Sequence, residues 1–235
     1  MSAEQKEQLS DNSLLSRDAI LRHIEAGNIT IDPFDARNLK TASYDVSLGK
    51  HFYREQDLGP LKTMYSPYSY DDVHEIWGKP QVATLASDLF LSQGLPIPKG
   101  IHEDDKVIVI GPGETILANT EEFIGGKFCT MATMHARSSG GRNFIEVCKC
   151  AGWGDVGYIN RWTMEITNIS RRYAIPLVVG RRYAQLAFHQ VDPIIDEEYG
   201  ANGKYQKGEN IETIKQKWLP HHMLPRMWED REVEK

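Results

Sequence analysis

Apolar and polar residues alternate along several stretches of this chain, which is the pattern of strands that bury one face. The alternation is clear in 43–52 and again in 162–166. Further apolar runs, separated by glycine- and proline-containing turns, occupy 106–110, 115–118, 174–179 and 183–191. Many short strands with a turn about every ten residues predict a mainly β fold, either a β-sandwich, a jelly roll or a distorted barrel.

One amphipathic helix is expected before these strands. Residues 17–26 carry a modest apolar stripe, Ser16 can cap the start of the helix, and Gly27 can end it. Ile29 and Ile31 then alternate with polar neighbours, which predicts a short strand.

Composition divides the chain into a central domain and less regular parts. Residues 1–13 are polar and predict a flexible N-terminus, followed by one β domain over 14–195. Within it, 55–100 holds many prolines and tyrosines and is expected to be an insertion of loops around short strands. Residues 196–235 form a C-terminal tail. Its first part is predicted to be a mobile lid, whereas its end has enough apolar residues to dock.

Charge and cysteine content limit the function classes. The chain has 235 residues and a net charge of −6, which argues against nucleic acid as a partner because such binding needs a basic surface. A small anionic ligand is still compatible, since a few arginines can hold phosphates within an acidic protein. Three cysteines give no disulfide framework, and neither a signal peptide nor a membrane segment is recognisable. We therefore expect a cytoplasmic protein without a membrane partner.

The candidate chemistry is concentrated between Arg137 and Glu165. The first motif is R-S-S-G-G-R (137–142), which offers hydroxyl groups, the forked donors of arginine and glycines that let a ligand approach the backbone. The second is A-G-W-G-D-V-G-Y (151–158), which places Asp155 in an open loop, and a strand that ends in Glu165 follows it. This mixture suits a site that grips phosphates at one end and performs acid/base chemistry at the other. Each part also has an ordinary interpretation: a polar turn, an aspartate that stabilises its own turn, and a glutamate on the solvent face, which periodicity alone favours.

A zinc site is not predicted. His23-Ile24-Glu25 matches the H-x-E of zinc deaminases in form, but the chain has no P-C-x-x-C, and Cys148-Lys149-Cys150 has the wrong spacing. His221 and His222 have no carboxylate or cysteine close to them in sequence. Dinucleotide-binding, Walker and G-x-S-x-G motifs are also missing.

Together, these segments resemble the dCTP deaminase/dUTPase superfamily on its dCTP deaminase side. The motifs H-A-R-S-S-G-G-R, A-G-W-G-D-V-G-Y and T-M-E-I-T-N match in order and spacing. Supporting matches are S-Y-D-V-S-L-G, P-G-E-T-I-L-A-N-T-E-E, A-Q-L-A-F and G-K-Y-Q. The similarity covers most of the chain apart from its ends and 55–100. One departure is Gly154, where the family usually has a larger residue.

The resemblance implies a homotrimer of distorted, dUTPase-like β-barrels with active sites shared between subunits. It implies that Glu165, without zinc, activates a water that attacks cytosine C4, and that Ser138, Arg142 and Asp155 share the catalytic site. Mg²⁺ would be carried by the triphosphate, with no metal site of the protein's own. The substrate-binding residues implied in this way are Arg137, Ser138, Ser139, Gly140, Gly141, Arg142, Ala151, Trp153, Asp155, Thr163, Met164, Glu165, Gln185, Tyr199, Lys204 and Gln206.

Three functions are compatible with these residues. The leading hypothesis is a dCTP deaminase, with or without further hydrolysis of dUTP to dUMP and pyrophosphate. The second is a dUTP diphosphatase in which Asp155 orients the attacking water. The third is a nucleotide-binding regulator without turnover.

Overall fold

The computed structural model describes residues 13–194, 199–206, 208, 210–230 and 232. Residues 1–12 of the expected flexible N-terminus, residue 195 at the end of the expected β domain, and residues 196–198, 207 and 209 of the expected lid lie outside the described residues. No helix in the described ranges is both long enough and apolar enough to cross a bilayer.

The first helix, α1, spans Arg17–Glu25, as the sequence predicts. The Ser16 hydroxyl accepts a hydrogen bond from the Ala19 amide, and Asp18 lies in the first turn, where the helix dipole favours a negative charge. Ala19 and Ile20 are buried, so the apolar stripe faces the core. The short strand predicted next is β1, which pairs antiparallel with a long central strand.

β-Strands are the main regular structure of the remaining chain, so the mainly β fold class predicted from the sequence is confirmed. Within the described ranges the strands are β1 (Ile29–Asp32), β2 (Tyr44–Arg54), β3 (Gln81–Val82), β4 (Thr84–Leu85), β5 (Lys106–Ile110), β6 (Thr115–Gly126), β7 (Thr130–Ala136), β8 (Ile145–Val147), β9 (Trp153–Gly154), β10 (Ile159–Asn168), β11 (Ile175–Val178) and β12 (Arg182–Gln190).

These strands form two antiparallel sheets around one main core. The large sheet has the order β8-β10-β6-β2-β12-β7-β9, with β1 added to β6 and β3 added to β2. The small sheet has the order β11-β5-β4. Apolar side chains from both sheets pack together, among them Tyr44, Met164 and Phe188 from the large sheet and Ile110 and Leu177 from the small one. The large sheet therefore curls around the core, and the small sheet helps to enclose it.

The pairing of β10 with β6 is interrupted once. Register shifts between Arg161 and Thr163, so one backbone amide of β10 loses its ladder partner. The Trp162 amide instead donates to the Thr120 hydroxyl at 2.9 Å, and the Trp162 ring nitrogen donates to the Ile124 carbonyl oxygen at 2.8 Å. Beyond the shift, Met164 and Ile166 face the core, and Thr163 and Glu165 face the other way.

The segment 55–100 contains more regular structure than its composition predicts. It holds the short strands β3 and β4 as expected, but also a helix α2 (Tyr70–Trp77) and a π-helix (Ser87–Leu91). The Ser69 hydroxyl caps α2 by accepting from the Asp72 amide at 3.2 Å. Ser69 precedes Asp72 by three residues, a spacing typical of a capped helix start, but the many prolines and tyrosines around it favour a prediction of loops.

The C-terminal segment docks against the outer face of the large sheet. A four-residue helix, α3 (Ser138–Gly141), lies between β7 and β8 and is not part of this segment. The described helices of the segment are α4 (Tyr199–Asn202) and α5 (Ile211–Lys217), followed by 3₁₀ turns at Pro220–Met223 and Met227–Glu229. Met223 and Leu224 are buried against Tyr53, Val73 and Leu117, with Trp77, Trp218 and Trp228 packed around them. This second cluster joins α2 to the end of the chain.

We predict that this cluster contributes substantially to stability. Leu224 is 2% exposed, so Leu224→Ala should lower the free energy of unfolding by about 2–5 kcal/mol through lost burial and a residual cavity. Leu219, which is 53% exposed, is the matched control, and Leu219→Ala should cost less than about 1 kcal/mol. Urea unfolding measures both. If Leu224→Ala lowered the free energy of unfolding no more than Leu219→Ala does, burial of the docked segment would not contribute to stability.

Candidate active site

A cavity of about 530 Å³ lies between β10, the loop before it and the C-terminal segment. Six of the residues that the sequence proposes for the site line it: Ala151, Trp153, Asp155, Thr163, Glu165 and Tyr199. The rest of the lining is Trp77, Leu117, Tyr158, Trp162, Tyr205, His222, Met223 and Pro225. The wall is mostly aromatic and apolar and includes a few polar groups, which is the usual composition of a small-molecule site.

Glu165 is the half-buried acid of this cavity. It pairs with Leu117 across the β6–β10 ladder, and its side chain points away from the fully buried Met164 and Ile166. The face that periodicity alone assigns to solvent therefore lines a cavity. Burial raises the pKa of the Glu165 carboxyl, while the nearby Lys149 acts in the opposite direction. A carboxyl of this kind can accept and return a proton closer to neutral pH than an exposed one.

A strained turn leads into the loop beside Glu165. Cys148, Lys149 and Cys150 all have positive φ values, of 71°, 39° and 65°, a conformation that residues other than glycine rarely adopt. The Cys148 amide donates to the Glu165 carbonyl oxygen at 3.1 Å, and the Ala151 amide donates to the Cys148 carbonyl oxygen at 2.5 Å. This turn fixes Ala151 next to the strand that carries Glu165.

The loop itself depends on two glycines for close packing. A Cβ at Gly152 would collide with the Met134 carbonyl oxygen, and one at Gly154 would collide with the Trp162 ring. The Trp162 ring therefore occupies the space that any side chain at position 154 would need. Asp155 accepts a hydrogen bond from the Trp153 ring nitrogen at 2.9 Å, and Trp153 is 67% exposed.

The predicted phosphate-binding element, 137–142, lies outside the cavity of its own chain. Arg137 contacts the buried Asp45 carboxylate at 3.3 Å and donates to the Arg182 carbonyl oxygen at 3.0 Å. Asp45 also contacts the Arg182 guanidinium at 3.2 Å. Ser138, Ser139, Gly140 and Gly141 make up α3 and, like Arg142, do not line the cavity. Asp45 therefore positions the first arginine of this element, a role that sequence analysis missed although S-Y-D-V-S-L-G contains it.

Other proposed residues lie beside the cavity or behind it. Met164 is fully buried in the core, so only its backbone is available to a ligand. Gln185 accepts from the Ser43 hydroxyl at 3.4 Å, away from the cavity. Gln206 is 5% exposed, and its amide accepts from the Ile159 amide at 2.8 Å and donates to the Gly157 carbonyl oxygen at 2.9 Å. Lys204 forms an ion pair with Asp230. In this arrangement Gln206 holds the tail against the 151–158 loop.

A family model described as dCTP deaminase-like matches residues 14–191. The chain belongs to the dCTP deaminase-like family. A relative from Hydrogenobaculum sp., a dUMP-forming dCTP deaminase, is 31% identical over 185 residues, 77% of this chain and 84% of that protein. Another dUMP-forming dCTP deaminase, from Acidothermus cellulolyticus, is 26% identical over 211 residues, 89% of this chain and 97% of that protein.

A solved structure supports the same fold. The crystal structure of 2′-deoxycytidine 5′-triphosphate deaminase from Agrobacterium tumefaciens aligns with 80% of this chain at a TM-score of 0.52 and 17% sequence identity. The alignment covers 51% of that chain, so this protein spans about half of its length.

Part of the cavity wall lies beyond the range matched by the dCTP deaminase-like family. Tyr199, Tyr205, His222, Met223 and Pro225 all follow residue 191. Sequence analysis identified only Tyr199 among them, because packing between distant segments, and no local pattern, brings the others to the cavity. Trp77 from α2 was missed for the same reason.

The raised pKa of Glu165 generates a prediction about stability and pH. Above the pKa of the folded state, the fold must hold a carboxylate that burial disfavours, which lowers the free energy of unfolding. Below the ordinary carboxyl value, both states bind the proton and the penalty disappears. Glu165→Gln is neutral throughout. The free energy of unfolding of this variant should therefore exceed that of the wild type at about pH 8, and the difference should vanish at about pH 4.

Urea unfolding at a series of pH values measures this difference. Glu146 is an exposed carboxylate on β8, the neighbouring strand, so Glu146→Gln is the control and should give no stability gain. If Glu165→Gln were no more stable than the wild type at the highest pH of the series, burial would not raise the pKa of the Glu165 carboxyl in the way described here.

Proposed function

We propose that the protein hydrolyses dCTP to dUTP and ammonia. Water adds to C4 of the cytosine ring, the C4–N bond breaks, and the amino group leaves as ammonia. The observation that carries this proposal is the position of Glu165, a half-buried carboxyl with a raised pKa, in one cavity with Asp155 and Thr163. The curated relatives described above are named as dCTP deaminases, which does not favour a plain dUTP diphosphatase or a regulator without turnover.

Several groups in and beside the cavity have a proposed role. Glu165 takes a proton from the attacking water and passes it to N3 of the ring. It then takes the proton of the new C4 hydroxyl and passes it to the amino group, which leaves as ammonia. The backbone around Ala151 helps to place the water and the tetrahedral centre. Asp155 accepts the 3′-hydroxyl of the deoxyribose, and the backbone of Thr163 and Met164 contacts the base. The aromatic walls exclude bulk water, which strengthens these polar contacts.

We infer that the complete site needs a second copy of the chain. Ser138, Ser139 and Arg142 offer donors suited to phosphates, yet they do not line the cavity that holds Glu165 in the same chain. In a closed assembly, this element of one subunit can reach the cavity of its neighbour. A homotrimer with shared sites satisfies that requirement, and Asp45 would then hold the element ready for the neighbour.

We further propose that Mg²⁺ enters with the triphosphate. Magnesium prefers oxygen ligands and is commonly held by substrate phosphates together with one or two carboxylates and water. The cavity offers a carboxylate oxygen from Asp155 and a hydroxyl oxygen from Thr163, which fit a hard cation, and the phosphates and water would supply the other ligands. The bound ion would neutralise phosphate charge, while the proton transfers remain with Glu165.

Removing the carboxylate tests the proposed base. Glu165→Gln keeps the size of the side chain but cannot accept a proton, so ammonia release from dCTP should fall by about 10²–10⁴-fold. Binding of dCTP, measured by calorimetry, should be largely retained. Glu146→Gln serves as the control and should release ammonia at the wild-type rate.

The products also define the reaction. Ammonia, dUTP, dUMP and pyrophosphate should be resolved together, with Mg²⁺ present, after treatment with a zinc chelator. Pyrophosphate released in step with ammonia would extend the reaction to dUMP. A Glu165→Gln protein that deaminates near the wild-type rate, or activity that only Zn²⁺ restores, would refute the mechanism.

Mixing inactive subunits tests the shared site. Glu165→Gln and Arg142→Ala should each be inactive alone, the first because it lacks the base and the second because it lacks a phosphate donor. If the two residues of one site come from different chains, random reassembly should restore about a quarter of the sites. Mixing Glu165→Gln with a chain that carries both substitutions is the control and should restore nothing. A monomer at assay concentration, or no recovery in the first mixture, would exclude a shared site.

A further inference from the structure

Trp153 is the one aromatic residue of the Glu165 cavity whose side chain is largely exposed. Its exposed fraction is 67%, whereas the other aromatic residues that line this cavity are buried or half-buried. A tryptophan side chain is usually buried for most of its area, because its large apolar surface is then removed from water. Packing within the chain therefore does not explain the position of this ring, and its polar atom has to be considered.

The ring nitrogen of Trp153 holds the carboxylate of Asp155. The indole N–H donates to Oδ1 of Asp155 at 2.9 Å. Within the described ranges this nitrogen is the one hydrogen-bond donor to that carboxylate. A carboxylate has two oxygens, and each can accept hydrogen bonds. The contact therefore fixes one oxygen and leaves Oδ2 available to a ligand in the cavity.

The Asp155 carboxylate is not used to stabilise its own turn. An aspartate in a turn commonly accepts a hydrogen bond from the backbone amide two residues later. Here the Gly157 amide donates instead to the Gly126 carbonyl oxygen at 2.8 Å, and the Tyr158 amide donates to the main-chain carbonyl oxygen of Asp155 at 3.0 Å. The ordinary interpretation of an aspartate in such a loop therefore does not apply, and the orientation of this side chain depends on the indole.

The backbone that carries Trp153 is itself held in place. Trp153 pairs with Thr133 in the antiparallel ladder between β9 and β7. One residue away on each strand, the Met134 amide donates to the Gly152 carbonyl oxygen at 2.7 Å. A side chain on a paired strand is directed more precisely than one on a free loop. The ring nitrogen is thus aimed at Asp155 by the sheet.

We propose that Trp153 is a positioning residue for the sugar of the substrate: it holds Asp155 so that the free carboxylate oxygen accepts the 3′-hydroxyl of the deoxyribose. The identity of the nucleotide rests on the proposed function, but the role of Trp153 concerns binding and not proton transfer. A carboxylate that is already oriented loses less conformational freedom when the ligand arrives. The indole N–H should therefore add affinity only for nucleotides that carry a 3′-hydroxyl.

Trp153→Phe tests this role, because it keeps an aromatic ring and removes the donor. Binding should be measured by calorimetry in Glu165→Gln, with Mg²⁺ present, for dCTP and for 2′,3′-dideoxy-CTP. Trp153→Phe should weaken dCTP about tenfold, the loss expected for one hydrogen bond to a charged group, and leave the dideoxy nucleotide nearly unchanged. Tyr173→Phe is the matched control. It also removes a polar hydrogen from an exposed aromatic residue, 64% exposed and outside the cavity, and should affect neither ligand.

A double-mutant cycle separates positioning from a general effect on the fold. In Asp155→Ala, Trp153→Phe should have no further effect on dCTP, because both substitutions act through the same carboxylate. Urea unfolding of Trp153→Phe should match that of its parent, since the ring is exposed. Equal weakening of dCTP and dideoxy-CTP, no weakening of dCTP, or additive losses in the Asp155→Ala background would overturn the proposal.

Binding and turnover give separate answers. If the protein released no ammonia from dCTP, while Trp153→Phe still weakened only the nucleotide with a 3′-hydroxyl, the proposed reaction would be wrong and the role of Trp153 would stand. If dCTP were deaminated and Trp153→Phe weakened both nucleotides alike, the reaction would stand and the positioning role would be wrong.

Discussion

The antiparallel pairing of β10 with β6 is the interaction on which the other features of the site depend. It fixes the alternation that sends Met164 and Ile166 into the core and Glu165 toward the cavity. Since the side-chain period of a strand is two, a slip by one residue would bury the carboxylate and expose the core residues. The hydrogen bonds of Trp162 to Thr120 and Ile124 hold this register at the point where the ladder is interrupted.

The alternation of apolar and polar residues along a strand is a local signal, so the sequence alone predicts which side chains of β10 face the core. It identifies β10, the orientation of Glu165 and the helix capped by Ser16. It cannot decide whether the face of Glu165 meets water or a cavity, since that depends on segments far away in the chain. Leu117 on β6 is covered by Met223 and Leu224, which are more than a hundred residues later, together with α2. Only the three-dimensional packing joins these parts.

The C-terminal segment also shows what sequence analysis cannot decide, namely which role a side chain of a recognised motif performs. The resemblance proposes Lys204 and Gln206 as residues that contact the ligand, but the structure gives Gln206 a buried role, with hydrogen bonds to the backbone of Gly157 and Ile159. An amide used in this way connects the C-terminal segment to the 151–158 loop, so the tail and the site are mechanically linked. A side chain that stabilises a closed arrangement and one that contacts the ligand can share the same motif, and spacing alone does not separate them.

The distribution of charge follows from what a general base requires. Cations close to a buried carboxylate lower its pKa and weaken it as a base, yet a triphosphate needs cations. In this chain Lys149 is the cation that opposes the raised pKa of Glu165. Lys204, Lys217 and Arg226 line a separate cavity, which shares only Tyr205 and His222 with the cavity of Glu165. Tyr205 and His222 thus lie between these cations and the half-buried carboxyl. The pKa of Glu165 can therefore stay raised, as a general base requires, although the C-terminal segment brings several cations to the neighbouring cavity.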